Sequence, residues 1–291
     1  MFENCSVMVI TAENEFNVLK LDIDEETRKA ICNTFSNAIL EFGKREKIAF
    51  DGSYKPGIDE FLYINNFQLS DKIKDAIRNP LGIKSFDKEN GKFPLIKAFF
   101  VGDRNEIENR ENFIVAFQRF RKEQYILPKF FNLFFKGNTF MREKNFGITV
   151  SDNIDCCYKN NELQFSSFFY ARQIFSLSEY YRSATDSEVK EFTNNNALEI
   201  EDITGFESTA DSWIRRKIAL INDSEVLEKY SVDEITRLAN ETGINLNIKK
   251  GKIVIPNDKR EIKKILGFLD EEAYKGPFSS LTYLANSKRR I

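Results

Sequence analysis

The chain has 291 residues, with 43 Lys and Arg against 45 Asp and Glu, a net charge of -2 and a pI near 5.7. That length fills one large or two ordinary domains with apolar interiors, and the near-neutral balance excludes a globally basic nucleic-acid packer while leaving room for a local basic surface. Histidine is absent, which removes Ser-His-Asp, Cys-His and H-E-x-x-H chemistry together.

The first half reads as strand-rich, with short alternating or fully apolar runs at 7–11, 16–23, 95–101, 113–117, 130–135, 146–150 and 163–166. Several hairpins of an antiparallel sheet are expected. Between the second and third runs, Ile31, Phe35, Ala38, Ile39 and Phe42 recur at helical spacing. Asp24 can cap that helix, Gly43 can end it, and it should cover one face of the sheet. A shorter helix from Asp71 is stopped by Asn79-Pro80.

After about Ser167 the pattern turns helical, over 178–192 and over 209–221, where Ile214, Ile218 and Ile221 share a face. The acidic stretch 186–211 reads partly as loop. Ser231 and Glu234 form a capping box ahead of Ile235, Leu238 and Ala239, and Gly243 supplies the stop. Ile244, Leu246 and Ile248 alternate, 249–252 turns the chain, and Ile253, Val254 and Ile255 return as a hairpin over 244–255 that Pro256 closes. Asn257 can cap a final helix bearing Ile262, Ile265, Leu266 and Leu269.

The fold class expected is therefore α+β. A strand-rich N-terminal antiparallel sheet with a covering helix, 1–166, precedes a mainly helical C-terminal half with a hairpin, 167–291.

The four cysteines, Cys5, Cys32, Cys156 and Cys157, match no zinc or disulfide spacing and are expected as reduced structural thiols. No stretch reaches the roughly 20 apolar residues of a membrane helix, and no signal-like segment opens the chain. A cytoplasmic protein is expected.

Phosphate loops, dinucleotide fingerprints and nucleophile elbows are missing from the sequence. Glu188-Val189-Lys190 offers a carboxylate and a lysine to a metal-dependent nuclease, but its expected place is an exposed helix where such residues are solvated. Asp270-Glu271-Glu272 is expected as a solvated helix end, since three consecutive acids diverge around a helix. No catalytic residue, metal or cofactor is assigned, and the chain is expected to act by binding.

Two basic regions could contact a polyanion. Between 119 and 144, Arg119, Arg121, Lys122, Lys129, Lys136, Arg142 and Lys144 are interleaved with Phe120, Tyr125, Phe130, Phe131, Phe134, Phe135 and Phe140, a pattern that fits single-strand stacking but also any half-buried strand. The second region supplies the candidate DNA-binding set. It comprises Lys249, Lys250 and Lys252 at the hairpin turn, Lys259, Arg260, Lys263 and Lys264 on the last helix, and Lys288, Arg289 and Arg290 at the end. Converging, they would neutralise several phosphates with little sequence preference.

The series Trp213-Ile214-Arg215-Arg216-Lys217-Ile218, Gly251-Lys252-Ile253-Val254-Ile255, Lys263-Lys264-Ile265-Leu266-Gly267-Phe268-Leu269-Asp270, then Tyr283 and Asn286-Ser287-Lys288-Arg289 resembles the KwaB-like domain of Kiwa anti-phage defence systems over 165–291. The N-terminal half agrees in length and strand-rich character. The resemblance implies a cytoplasmic prokaryotic protein that binds DNA without catalysis, self-associates as a homodimer and acts with a small membrane-spanning partner, which would recruit it to the inner face of the membrane. The rival reading is a protein-interaction adaptor or sensor subunit whose Phe-rich first half docks on a partner. A histidine-free nuclease comes third.

Overall fold

The computed structural model describes residues 2, 5–12, 16–86, 95–106, 113–127, 131–285 and 287–289. The chain forms two compact units, Met1–Phe50 with Pro56–Leu177 and Asp51–Lys55 with Ser178–Ile291, and its class is α+β. Phe130, inside the expected strand 130–135, and Lys129 lie outside the described residues.

The first unit contains β1 (Met8–Thr11), β2 (Asn17–Lys20), α1 (Glu25–Phe42), β3 (Glu46–Ala49), β4 (Glu60–Ile64), α2 (Asp71–Arg78), β5 (Ile96–Gly102), β6 (Ile114–Arg119), β7 (Tyr125–Ile126), β8 (Leu133–Lys136), β9 (Thr139–Arg142), β10 (Gly147–Ile148), β11 (Cys156–Lys159), β12 (Glu162–Phe165) and α3 (Phe168–Ile174). Among the described residues, eight strands make one sheet in the order β2-β1-β5-β6-β11-β12-β4-β3. Its pairs are antiparallel except β3 with β4, which run parallel. The expected antiparallel sheet is therefore mixed, because α1 carries the chain across before β3 and a longer connection brings β4 back alongside.

A row of directly opposed side chains crosses this sheet: Met8, Phe100, Phe117, Cys156, Phe165, Leu62 and Ile48. All seven are buried, on the face where Ile73, Ala76 and Ile77 of α2 and Ala171 and Ile174 of α3 are also buried. The opposite face packs Val9, Phe99, Val101, Ala116 and Cys157 with Cys32, Phe35, Ile39 and Phe42 of α1. With both faces covered, β1 and residues 98–101 of β5 are buried continuously instead of in alternation.

Helix α1 keeps its expected limits, with Asp24 accepting from the Thr27 N–H at 2.9 Å. Cys5 and Cys32 are joined as a disulfide, 6.8 Å apart at Cα, which corrects the expectation of four reduced thiols. The seating of α1 beside the N-terminal segment brings together two cysteines that share no motif in sequence. Cys156 and Cys157 are free and buried, and burial pushes the Cys157 thiol up to about 12.

The second unit contains α4 (Asp186–Thr193), β13 (Leu198–Ile200), α5 (Ile203–Thr209), α6 (Ser212–Ser224), α7 (Val226–Lys229), α8 (Val232–Thr242), β14 (Ile248–Lys249), β15 (Lys252–Ile255), α9 (Lys259–Leu269), β16 (Ala273–Lys275) and β17 (Thr282–Leu284). Its core joins Val189 and Phe192 of α4, Ile214 and Ile218 of α6, and Ile262 and Leu266 of α9 over Leu198 and Ile253 of the small sheet.

The expected helix 178–192 starts only at Asp186, because Thr185 and Glu188 form a capping box there. The stretch expected as partly loop holds α4, β13 and α5. Strand β13 pairs in parallel with β15, a non-local pairing that local periodicity does not reveal. Asp258 caps α9 in place of Asn257, accepting from the Arg260 and Glu261 N–H groups at 3.0 Å. A carboxylate is the stronger partner for helix N–H groups.

Candidate functional site

Helix α6 places Trp213, Arg216 and Lys217 on one stripe, at spacings of three and four residues, while Ile214, Ile218 and Ile221 turn into the core. Asp211 caps its start, accepting from Trp213 and Ile214 N–H groups at 3.0 Å each.

Lys217 and Arg216 are buried to about the same degree as the core around them. A buried ammonium needs opposite charge, and Lys217 Nζ finds it on Asp270 Oδ2 at 2.5 Å and on Glu272 Oε1. Lys288 Nζ donates to Asp270 Oδ1 at 2.9 Å and to the Asp270 carbonyl.

Asp270 and Glu272 are thus buried, which corrects the solvated helix end expected for 270–272. The reason is local: α9 stops at Leu269 and Glu271 adopts a left-handed φ of 55°. The chain leaves helical geometry there, so the two carboxylates that a helix would splay apart meet one ammonium. Glu271 is left exposed.

Arg216 sits under the 51–55 segment, its Nη1 donating to the Arg182 carbonyl at 2.8 Å and its Nη2 to the Asp51 carbonyl at 3.0 Å. Its guanidinium lies 4.7 Å from the Tyr181 ring centroid, and burial holds its pKa below the ordinary value. Gly52, at φ +79°, is the residue above it, where a Cβ would collide with Nη2. Ser287 Oγ accepts from the Lys55 N–H at 2.8 Å, so the chain's last described residues lie against the same segment.

Three members of the motif series therefore converge: Arg216-Lys217, the Asp270 that ends the α9 motif, and Ser287-Lys288. Sequence reading missed this cluster because it sought accessible cations. The available signal was the adjacency of Arg216 and Lys217 to the core face of α6. Chemically Lys217 and Lys288 are balanced by Asp270 and Glu272, the Arg216 guanidinium donates to two carbonyls while its Nε is buried with no hydrogen-bond partner among the described residues, and among the described residues no group of three or more Cys, Asp or Glu stands ready for a metal ion.

The candidate DNA-binding residues fall into three places. Lys249 and Lys252 are directly opposed across the β14–β15 pair, with Lys250 at φ 51° and Gly251 at φ 75° between them. That is the two-residue turn with both central φ positive. Glu199 lies 3.8 Å from Lys249, while Lys250 and Lys252 have no carboxylate partner among the described residues.

Lys259 and Arg260 open α9 beyond the other end of β15, roughly 13 Å along a four-residue strand. Lys259 pairs with Asp211 at 2.8 Å, and Lys263 lies 5.1 Å from the Trp213 ring centroid. Burial would raise the Asp211 pKa, but Lys259 and the Ile214 N–H outweigh it and hold the carboxyl below its usual range. Lys264 meets Glu261 at 3.5 Å, and Arg260 is exposed without a carboxylate partner among the described residues. Lys288 belongs to the Lys217 cluster, Arg289 lies 5.8 Å from the Tyr54 ring centroid, and Arg290 and Asn286 lie outside the described residues. The turn trio forms one group, and the cations of α9 and the C-terminal segment are distributed elsewhere in the unit.

The segment 119–144 divides. Arg119 donates to Gln173 at 2.8 Å and stacks 4.1 Å from Tyr170, and Phe120 is core. The β8–β9 ribbon is exposed along its length. Glu188 is no free carboxylate: Arg182 and the Thr185 N–H hold its pKa down to about 2.

A protein-family model described as "Kiwa protein KwaB-like" matches residues 104–279, more than half of the chain. It begins well ahead of the motif series and stops short of the Ser287-Lys288 ending. No curated protein and no solved structure matches the chain.

Proposed function

Because this chain belongs to the Kiwa protein KwaB-like family, and so to the setting of Kiwa anti-phage defence, we propose that it serves there as a cytoplasmic, non-catalytic protein that binds duplex DNA. Its contacts are to the sugar–phosphate backbone, with the β14–β15 turn as the principal site and a small membrane-spanning protein and a second copy of the chain as its partners.

One observation carries the choice of the turn. Like charges placed directly opposite on a β-ladder repel, yet Lys249 faces Lys252 with Lys250 between them, and among the described residues Glu199 is the one carboxylate paired with the trio, at 3.8 Å from Lys249. A phosphate backbone would relieve that repulsion and draw affinity from the release of its counterions. Arg260, Lys259, Lys263, Lys264 and Arg289 are secondary contacts in this reading, and Lys288 is a structural cation.

Mobility-shift titration of the full chain against its Lys249→Glu, Lys250→Glu, Lys252→Glu variant tests it. The expected result is weakened binding across unrelated duplex sequences in a variant that melts like the parent, because turn residues are solvated. Unchanged affinity in the folded variant removes the turn as the site, and no binding by the parent at low salt removes the DNA reading.

A further inference from the structure

A cleft of the first unit lies where the loop after β4, the β11–β12 turn and α2 come together, and encloses about 400 Å³. Small-molecule sites span roughly 300–1,000 Å³. Lys74 and Arg78, four residues apart on one stripe of α2, both line it. Among the described residues no carboxylate lines it, whereas clefts elsewhere in the unit carry Asp22 with Asp24, or Glu41 with Asp152. Its charge therefore calls for an anion.

Both cations can be drawn to a ligand. Lys74 meets Asp71 at 3.3 Å and Arg78 meets Asp75 at 2.8 Å, each three residues back on the same helix and each on a largely exposed carboxylate. Exposed pairs of that kind contribute little. A phosphate that meets both cations at once gains charge-assisted hydrogen bonds from each.

Amides supply the rest of the polar lining. Asn66, at φ 53°, and the two-residue Asn160-Asn161 turn, at φ 54° and 60°, both hold the left-handed geometry that asparagine adopts more readily than most residues. The Phe67 N–H donates to the Asn161 carbonyl at 2.9 Å and ties the two segments together. Asn161 Oδ1 accepts from the Tyr158 hydroxyl at 3.0 Å, and Gln68 Nε2 donates to the Asn66 carbonyl at 3.2 Å. Asn161 Nδ2, Gln68 Oε1 and both ends of the Asn66 amide are then left without a partner among the described residues. Phe113 and Tyr158, edge to face at 6.0 Å and both buried, form the wall behind them.

Size, charge and polarity together select the occupant. A bare phosphate leaves most of the volume empty and the amides unused. An apolar ligand leaves both cations unmatched, and a protein surface does not enter so small a cleft. A side-chain amide presents a donor and an acceptor side by side, the pattern that matches the edge of a nucleobase in a two-point contact.

We propose that this cleft binds a nucleoside monophosphate, with Lys74 and Arg78 on the phosphate and Asn66, Gln68 and Asn161 on the edge of the base. The site belongs to the first unit and is independent of the DNA reading, which rests on the second.

Equilibrium dialysis of the full chain against AMP, GMP, CMP and UMP in turn tests this, with the matching nucleoside and ribose phosphate as controls. Binding of at least one nucleotide is expected, with its nucleoside and ribose phosphate each weaker by at least about tenfold. The Lys74→Gln, Arg78→Gln variant should lose at least about tenfold in nucleotide affinity. The Asn66→Gly, Gln68→Ala variant should lose about fivefold or more and bind ribose phosphate as the parent does. Glycine accepts the φ of Asn66 and the substituted side chains lie at the surface, so both variants should melt like the parent. The Lys249→Glu, Lys250→Glu, Lys252→Glu variant should keep nucleotide binding. Absence of binding by all four nucleotides at millimolar concentration overturns the proposal, as does undiminished nucleotide binding in the folded Lys74, Arg78 variant. Ribose phosphate bound as tightly as the nucleotide overturns it too, in favour of a sugar-phosphate ligand.

Discussion

Lys217 and Arg216 are the two buried cations among the described residues of the second unit, and Lys217 is the one held by carboxylates. Its ammonium meets both Asp270 and Glu272, each nearly as buried as itself. Breaking such a pair is costly because the surviving charges stay buried. Lys217→Met keeps the length of the stem but leaves Lys288 alone to balance two carboxylates. A loss of about 3–5 kcal/mol in unfolding free energy is expected in urea titration followed by circular dichroism. A loss below about 1 kcal/mol would mean that water reaches the cluster. In the same unit Glu188 illustrates how a residue type misleads when read alone. Beside Val189 and Lys190 it resembles half of a nuclease site, yet its oxygens are taken by Arg182 and by the cap of α4.

Among the elements, the β14–β15 hairpin is the one on which the functional reading turns, and its geometry rests on two residues with positive φ, Lys250 at 51° and Gly251 at 75°. Gly251 has open space around it, so a methyl group meets no neighbour and only the backbone objects. Gly251→Ala is expected to cost about 1 kcal/mol, measured by thermal melting. It should weaken DNA binding as well, by splaying the lysines that the turn holds together. An unchanged melting temperature would show that the turn relaxes to another type. In the first unit the strands that escaped sequence reading are β3, β4, β7, β9 and β11. Strand β3 buries only Ile48, and β11 presents Cys156-Cys157 where a period-two pattern looks for branched or aromatic residues.

At the scale of the molecule, the near-zero net charge means that attraction to a polyanion has to be local. If the turn trio supplies the contacts, the logarithm of DNA affinity should fall with the logarithm of salt concentration with a slope of magnitude about three, one counterion for each lysine. Titrations over a range of potassium chloride concentrations read that slope, and the turn variant should lose most of it. A slope several times larger would assign the remaining affinity to the cations of α9 and the C-terminal segment. The two units carry separate apolar clusters, and the lysine turn belongs to the second.

Much of this was present in the chain as local pattern. The spacing of Ile31, Phe35 and Ile39 specified α1, Ser231 and Glu234 specified the start of α8, and the positions of Lys249 to Lys252 specified a basic turn. Each of these signals acts within a few residues, where backbone geometry and side-chain periodicity are coupled directly. The ordered motifs around Arg216, Ile253 and Asp270 likewise pointed to the family. The pairing of β13 with β15, the meeting of Cys5 with Cys32 and the enclosure of Lys217 by Asp270 and Glu272 join residues far apart in sequence or separated by a break in helical geometry. Only the tertiary structure decided them, because burial, and with it the strength of every charge–charge contact, is a property of what surrounds a residue and not of the residue itself.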